Sequence, residues 1–218
     1  MRQLFFVISL ILSSAKVAAD LEGVFLINNK TQLILYYRDD QHIRIDMSDK
    51  SYMLITDKTV YALTRSGSGW MAMDMNQMAG LTHLIAGANT GVNWSNVIFT
   101  PLNETEIVAG YKGQVYTLQA KVDGKLEKRE VVMCKDKEVV TLQKALIKMS
   151  EKTAKAVGMS HELDFKSLQR TAAANDIGGL LRVEQDLVLQ NIKTVVKDLS
   201  FYEFPKNTQT MEVPSVFK

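Results

Sequence analysis

The sequence predicts an α+β protein, an antiparallel sheet of about ten strands interrupted by three helices. Three observations predict it. From Gly23 to Met75, short β-rich runs alternate with polar turn clusters, the pattern of consecutive hairpins. Within that stretch Ile43, Ile45 and Met47 alternate with His42, Arg44 and Asp46, a period of two that a helix would not show. Segments with helical spacing interrupt the strands rather than alternating with them, which favours α+β over a doubly wound parallel sheet.

The chain opens on a different signal. Arg2 is followed by an apolar run from Leu4 to Leu12, and small residues end in Val17-Ala18-Ala19. A charged start, a short apolar middle and a small-residue cleavage site make a secretory signal peptide over 1–19. The run is about half of the ~20 residues that span a bilayer. The remainder, 20–218, is expected to be one domain in the periplasm.

The strands follow in order. Val24–Ile27 stops at Asn28-Asn29-Lys30, Gln32–Tyr37 at Arg38-Asp39-Asp40, and His42–Met47 at Ser48-Asp49-Lys50. Tyr52–Thr56 and Val60–Thr64 flank a tight turn at Asp57-Lys58, and Trp70–Asp74 follows Ser66-Gly67-Ser68-Gly69. Met75, Met78, Leu81 and Ile85 then recur at helical spacing, predicting a short helix over 75–88. Strands resume at Asn96–Thr100, Thr105–Ala109, Gln114–Val122 and Lys128–Cys134. Leu142, Leu146, Met149, Thr153 and Ala156 line one face of a helix over 139–157 that Gly158 ends. Ser160-His161-Glu162-Leu163 opens a third helix, expected to stop before Gly178-Gly179. Leu180–Leu189 and Lys193–Val196 read as strands around a turn at Gln190-Asn191. The tail from 201 to 213 reads as irregular chain or edge strand, limited by Pro205 and Pro214.

Composition excludes several functions. The chain carries 26 Lys and Arg against 24 Asp and Glu. Arg2 and Lys16 leave with the signal, so the mature chain is formally neutral and offers no basic surplus for nucleic acid. A lone Cys134 rules out a disulfide framework and a thiolate zinc cluster, and suits a buried small hydrophobe. No later segment is long and apolar enough to span a membrane.

Two segments carry a resemblance. Tyr36-Tyr37-Arg38-Asp39-Asp40-Gln41-His42-Ile43-Arg44-Ile45-Asp46 and Tyr52-Met53-Leu54-Ile55-Thr56-Asp57-Lys58-Thr59-Val60-Tyr61-Ala62-Leu63 resemble exported bacterial domains similar in fold to the LolA/LppX lipoprotein carriers. Tyr202-Glu203-Phe204-Pro205 is similar to an ending common there. The resemblance is specific over about 36–75. It implies a curved antiparallel β half-barrel whose concave face is covered by helices and encloses a chamber for acyl chains. It carries over no active-site motif.

The candidate chamber lining is Met47, Met53, Trp70, Met71, Met73, Met78, Leu81 and Ile85. Unbranched thioethers repack around irregular apolar ligands, although the same residues also suit ordinary core packing. Copper binding by the methionines lacks flanking His or Cys. His161-Glu162 begins a zinc-helix pattern, but Phe165 stands where the second histidine belongs. Asp39, Asp40 and Asp57 occupy turns, and Ser66-Gly67-Ser68-Gly69 precedes no phosphate-binding helix. No catalytic, metal or cofactor site emerges, so the expectation is a non-enzymatic carrier of a lipid or lipoprotein acyl chain. The competing expectation is an envelope protein-interaction module, a stress sensor or chaperone-like adaptor.

Overall fold

The computed structural model describes residues 19–57, 59–67, 69–78, 92–122, 125–158 and 176–211. They form one open twelve-stranded sheet. Its strands are β1 (Asp20–Ile27), β2 (Thr31–Asp39), β3 (His42–Ser48), β4 (Ser51–Ile55), β5 (Val60–Ser66), β6 (Gly69–Asp74), β7 (Val92–Val108), β8 (Tyr111–Val122), β9 (Lys125–Cys134), β10 (Gly179–Val183), β11 (Leu187–Val195) and β12 (Thr208–Met211). The order across the sheet is β12-β6-β5-β4-β3-β2-β1-β11-β10-β9-β8-β7. Two meanders, β1 to β6 and β7 to β11, therefore join where β1 pairs with β11.

This corrects the expected half-barrel of about ten antiparallel strands roofed by several helices. The sheet has twelve strands, and it is mixed, because β12 pairs with β6 in parallel. The tail crosses the sheet after β11 and reaches the far edge running in the same direction as β6. Among the described residues one α-helix, α1 (Lys137–Ala156), lies on the sheet. Of the helix expected over 75–88, Met75–Met78 form a 3-10 turn and the rest lies outside the described residues. The helix expected from Ser160 lies outside them up to 175. The turn expected at Gln190-Asn191 is a bulge: Val24 pairs with Asn191 and Phe25 with Leu189, leaving Gln190 unpaired. The chain reverses instead at 184–186, with Glu184 at φ 42°. Val92–Val108 is one strand, whose register breaks between Pro101 and Thr105, where two strands were expected.

The sheet coils at its β7 end. Strands β7 and β11 stand four places apart, about 19 Å if flat. Their Cα atoms nevertheless approach within 8 Å. Arg182 of β10 holds the curl, bonding Glu106 of β7 at 2.6 Å and Glu130 of β9 at 2.5 Å.

Helix α1 covers one face. Leu142 and Ala145 are buried against Phe25, Leu35, Ile43, Ile45, Val115, Val132, Leu181 and Leu189, and Leu146 and Met149 pack beside them. The helix ends at Val157, and Gly158 takes the left-handed conformation at φ 79°, the role that glycine fills after a helix. Its first turn lies against β10, and its far half is tied by Lys148 to Asp40 at 2.8 Å and by the Lys152 ammonium to the Thr56 carbonyl.

The tail straps the opposite face. Phe201 meets the Tyr36 ring edge-on, with centroids 4.8 Å apart. The Arg44 guanidinium lies 3.7 Å from the centre of Tyr52 and 4.1 Å from that of Phe201, and pairs with Asp46 at 2.6 Å. Phe204 packs edge-on to Tyr61. Beneath lies a second small core of Tyr52, Leu54, Leu63 and Ala72.

Asp20 closes the strap. Its inaccessible carboxylate accepts Arg38 Nε at 2.7 Å and Nη2 at 3.1 Å, the Lys197 amide at 2.8 Å and the Tyr202 hydroxyl at 3.0 Å. Burial pushes the carboxyl pKa up, but these donors together outweigh burial and hold it below its ordinary 3.8.

A Cβ at Gly179 would stand 2.6 Å from the Val139 carbonyl carbon and oxygen, whereas one at Gly69 meets nothing. Gly179→Ala should cost about 1–3 kcal/mol in urea unfolding, and Gly69→Ala much less. A carboxyl whose native pKa is depressed contributes stability above its unfolded value and loses it as pH falls through the native one. The wild type should therefore lose stability below pH 3.8. Asp20→Asn should cost about 3 kcal/mol at neutral pH by leaving Arg38 unpaired, and should flatten that acid slope in urea titrations run at stepped pH.

Candidate functional site

Strand pairing places the methionines. Ile45 stands opposite Met53, Met53 opposite Ala62 and Ala62 opposite Met73, so one row crosses β3 to β6 on one face. Ser51, Thr64 and Met71 form the next row, and Met47 stands at a bulge in β3, where the register shifts between Asp46 and Ser48. This is the face that carries α1, because Ile43, Ile45, Ile55 and Val60 belong to the core beneath the helix. Those four are at most 2% exposed. Met53, Met71 and Met73 are half-buried, and Met47 is 40% exposed. Met75, in the 3-10 turn after β6, packs against the same core.

The methionines thus mark the border where the solid core ends. Beneath α1 the sheet is filled by its own side chains; toward β6 it presents adaptable thioethers. Trp70 does not join them. It points to the opposite face, edge-on to Tyr52 with ring centroids 5.0 Å apart, in the small core under the tail. Met78 closes the 3-10 turn; its side chain, together with Leu81 and Ile85, lies outside the described residues.

Sequence reasoning missed one unpaired polar group on the covering helix. Thr153 sits on the helix stripe of Leu142, Leu146 and Met149. Its Oγ1 is buried and finds no hydrogen-bond partner among the described residues. A threonine in the middle of an apolar stripe was the available signal. A buried unpaired hydroxyl costs about 1–3 kcal/mol and offers a point of attachment to a polar ligand atom. Tyr52, on the other face, also has a buried hydroxyl without a partner among those residues, and burial raises its pKa.

A wider cleft of about 740 Å³ flanks α1, lined by Val140, Lys144, Ile147 and Glu151 with Asp40 and Asp176. Its charges are largely paired: Lys148 with Asp40, and Lys135 with Asp176. Such a cleft presents little net field to an anion.

The titratable groups have structural partners. His42 shares Asp39 through Nδ1 at 2.8 Å, and its ring lies 5.7 Å from that of Tyr202. Cys134 is buried and directs its thiol to Asp136 at 2.9 Å, and burial pushes its pKa up. Asp39 accepts the amides of Gln41 and His42, the turn role expected of it. His83 and His161 lie outside the described residues. Among those residues no three of His, Cys, Asp or Glu converge to hold a metal ion, and no helix is long and apolar enough to cross a membrane.

No family model, curated protein or solved structure matches this chain.

The orphan hydroxyl makes a test. Thr153→Val keeps shape and removes the unpaired group, so it should raise unfolding stability by about 1 kcal/mol, read from the urea midpoint.

Proposed function

We propose that the exported chain is a binding protein for an apolar ligand, a lipid or the acyl part of a lipoprotein, seated against the methionine border of the helix-side face. One observation carries this reading: Met53, Met71 and Met73 share one face and remain partly open where Ile43, Ile45 and Val60 are sealed. Thioether side chains follow a ligand's contour at little cost, and each methylene buried contributes about 0.8 kcal/mol. The Thr153 hydroxyl, buried and unpaired on the covering helix, suits a single polar atom on an otherwise apolar molecule. The role is holding rather than chemistry, performed in the periplasm after the signal is removed.

A fluorescent fatty acid titrated into the purified mature protein tests the reading. Uptake with a defined stoichiometry is expected, falling at least tenfold in Met71→Gln/Met73→Gln with the urea midpoint little changed. Absence of uptake by the wild type, together with ligand-free protein in native mass spectrometry after periplasmic purification, would overturn it.

A second reading, an envelope protein-interaction module, draws on a different patch. Ile98 and Leu126 are 56% and 59% exposed. Pairing sets them on one face with Lys121 and Lys128. Two exposed aliphatics between lysines suit a protein surface of complementary charge. Leu126→Glu distinguishes the readings, because it would abolish a stoichiometric partner contact and spare fatty-acid uptake.

A further inference from the structure

We propose that the ligand of the methionine face is an uncharged amphiphile: its chain lies across the strands on Met53, Ala62, Met73 and Met211, and its polar end is held by Thr64 and Gln209. The inference rests on the apolar-ligand reading. It goes further by naming the headgroup chemistry and by placing the last strand in the site.

Pairing carries the methionine face beyond β6. In β12, Met211 stands beside Met73 and Gln209 beside Met71, while Thr208 stands beside Trp70 on the other face. Paired residues share a face, so Met211 and Gln209 belong to the side that carries α1. Three successive rows then cross this part of the sheet, each about 7 Å from the next along the strands. The first holds Ile43, Ile55 and Val60. The second runs from Ile45 through Met53, Ala62 and Met73 to Met211. The third holds Ser51, Thr64, Met71 and Gln209.

Exposure rises in the same order. The first row is sealed. In the second, Met53, Ala62 and Met73 are half-buried, and Met211, at the sheet edge, is 41% exposed. In the third, Ser51 and Met71 are half-buried, and Thr64 and Gln209 are exposed. The face passes from hydrocarbon, through thioethers, to hydroxyls and an amide. A molecule that is apolar at one end and polar at the other matches that order. From β4 to β12 the second row covers three strand intervals, about 14 Å, a track for an extended alkyl chain.

The third row decides the headgroup, because its polar side chains carry no charge. Ser51 Oγ lies 2.8 Å from Ser48 Oγ, and among the described residues the Thr64 hydroxyl and the Gln209 amide take no side-chain partner. The neighbouring charges are spoken for or point away. Arg65 stands opposite Trp70 on the other face. Lys152 bonds the Thr56 carbonyl, past the far end of β4 from Ser51, and Lys148 is paired with Asp40. Asp49 and Lys50, in the turn before Ser51, are of opposite sign. A carboxylate or an ammonium drawn onto this row would meet no counter-charge, and a charge costs far more to dehydrate than a hydroxyl. A hydroxyl or ester instead exchanges hydrogen bonds with Thr64 and Gln209, each of which both donates and accepts.

Three probes with the same chain length test the proposal: monooleoylglycerol, oleate and oleylamine. Each is titrated at neutral pH, below its aggregation concentration, to displace a fluorescent fatty acid from the purified protein. Half-displacement by monooleoylglycerol is expected at a concentration at least tenfold lower than by either charged probe. Thr64→Val/Gln209→Leu should bring the three within about twofold of one another while the fluorescent probe still binds. Met211→Gln should weaken all three at least threefold. These substitutions fall on exposed positions, so the urea midpoint should hold. Displacement by oleate or oleylamine as good as by monooleoylglycerol, a preference that survives the double variant, or an unchanged profile in Met211→Gln would overturn the proposal and leave the apolar-ligand reading standing. If the fluorescent fatty acid itself does not bind, that reading falls and this one falls with it.

Discussion

The carboxylate of Asp20 is where the two ends of this molecule meet. A charge withdrawn from water in this way costs several kcal/mol unless strong donors surround it. Arg38 supplies two, from the strand next door, and the tail supplies the Lys197 amide and the Tyr202 hydroxyl. Arg38 also donates to the Lys197 carbonyl, so the same guanidinium grips both the first strand and the tail. The docking of the tail is therefore not an optional contact. Without it the first residue of β1 would be a buried carboxylate with half its partners missing.

The strap explains the second face. Once Lys197 and Tyr202 are anchored, the chain must run across β2, β3, β4 and β5 to reach the edge at β6. Aromatic rings and cations mark its path. The Lys197 ammonium lies 4.9 Å from the centres of both Tyr36 and Phe201, Arg44 is clasped between Tyr52 and Phe201, and Phe204 rests on Tyr61. Tyrosine and arginine suit this task because each buries an apolar body and keeps a polar end available. Trp70 belongs to this face for the same reason. It stands opposite Arg65 in the β5–β6 hairpin and opposite Thr208 in β12, so its ring helps to seal the tail's last crossing.

How much of this was legible depended on whether the signal was local. The first meander could be read because period-two alternation and turn clusters act over a few residues, and β3 and β4 begin and end within a residue or so of where the pattern places them. The long helix was legible through its apolar stripe and Gly158. The bulge at Gln190 was not, because two polar residues between apolar runs look the same whether the chain turns or merely accommodates a mismatch with β1. The parallel strand β12 was legible only as edge chain, since its partner lies more than a hundred residues earlier. Proximity in sequence groups Trp70 with the methionines, yet Met71 beside it must point the other way, as period two requires. Asp20 gave no sign of its role, because its partners come from opposite ends of the chain.

The position of the methionine border follows from the length of α1. Twenty residues at about 1.5 Å each make a rod of about 30 Å, and strands lie about 4.8 Å apart, so such a helix laid across a sheet crosses about six strand intervals. Its contacts mark that course. Val139 lies against Gly179 of β10, Leu142 against Gly23 of β1, Lys148 reaches Asp40 after β2, and Lys152 reaches Thr56 before β5. Six intervals from β10 end at β5. Strand β6 is the next in order; the helix meets the 3-10 turn that follows it rather than the strand itself. Branched Ile and Val fill the ground under the rod, where a fixed partner rewards a fixed shape; Met71 and Met73, on β6, lie outside that core. Flexible side chains are best placed where the covering surface is not rigidly set by the helix itself, and that geometry, more than the number of methionines, makes this edge of the face the place to look for a ligand.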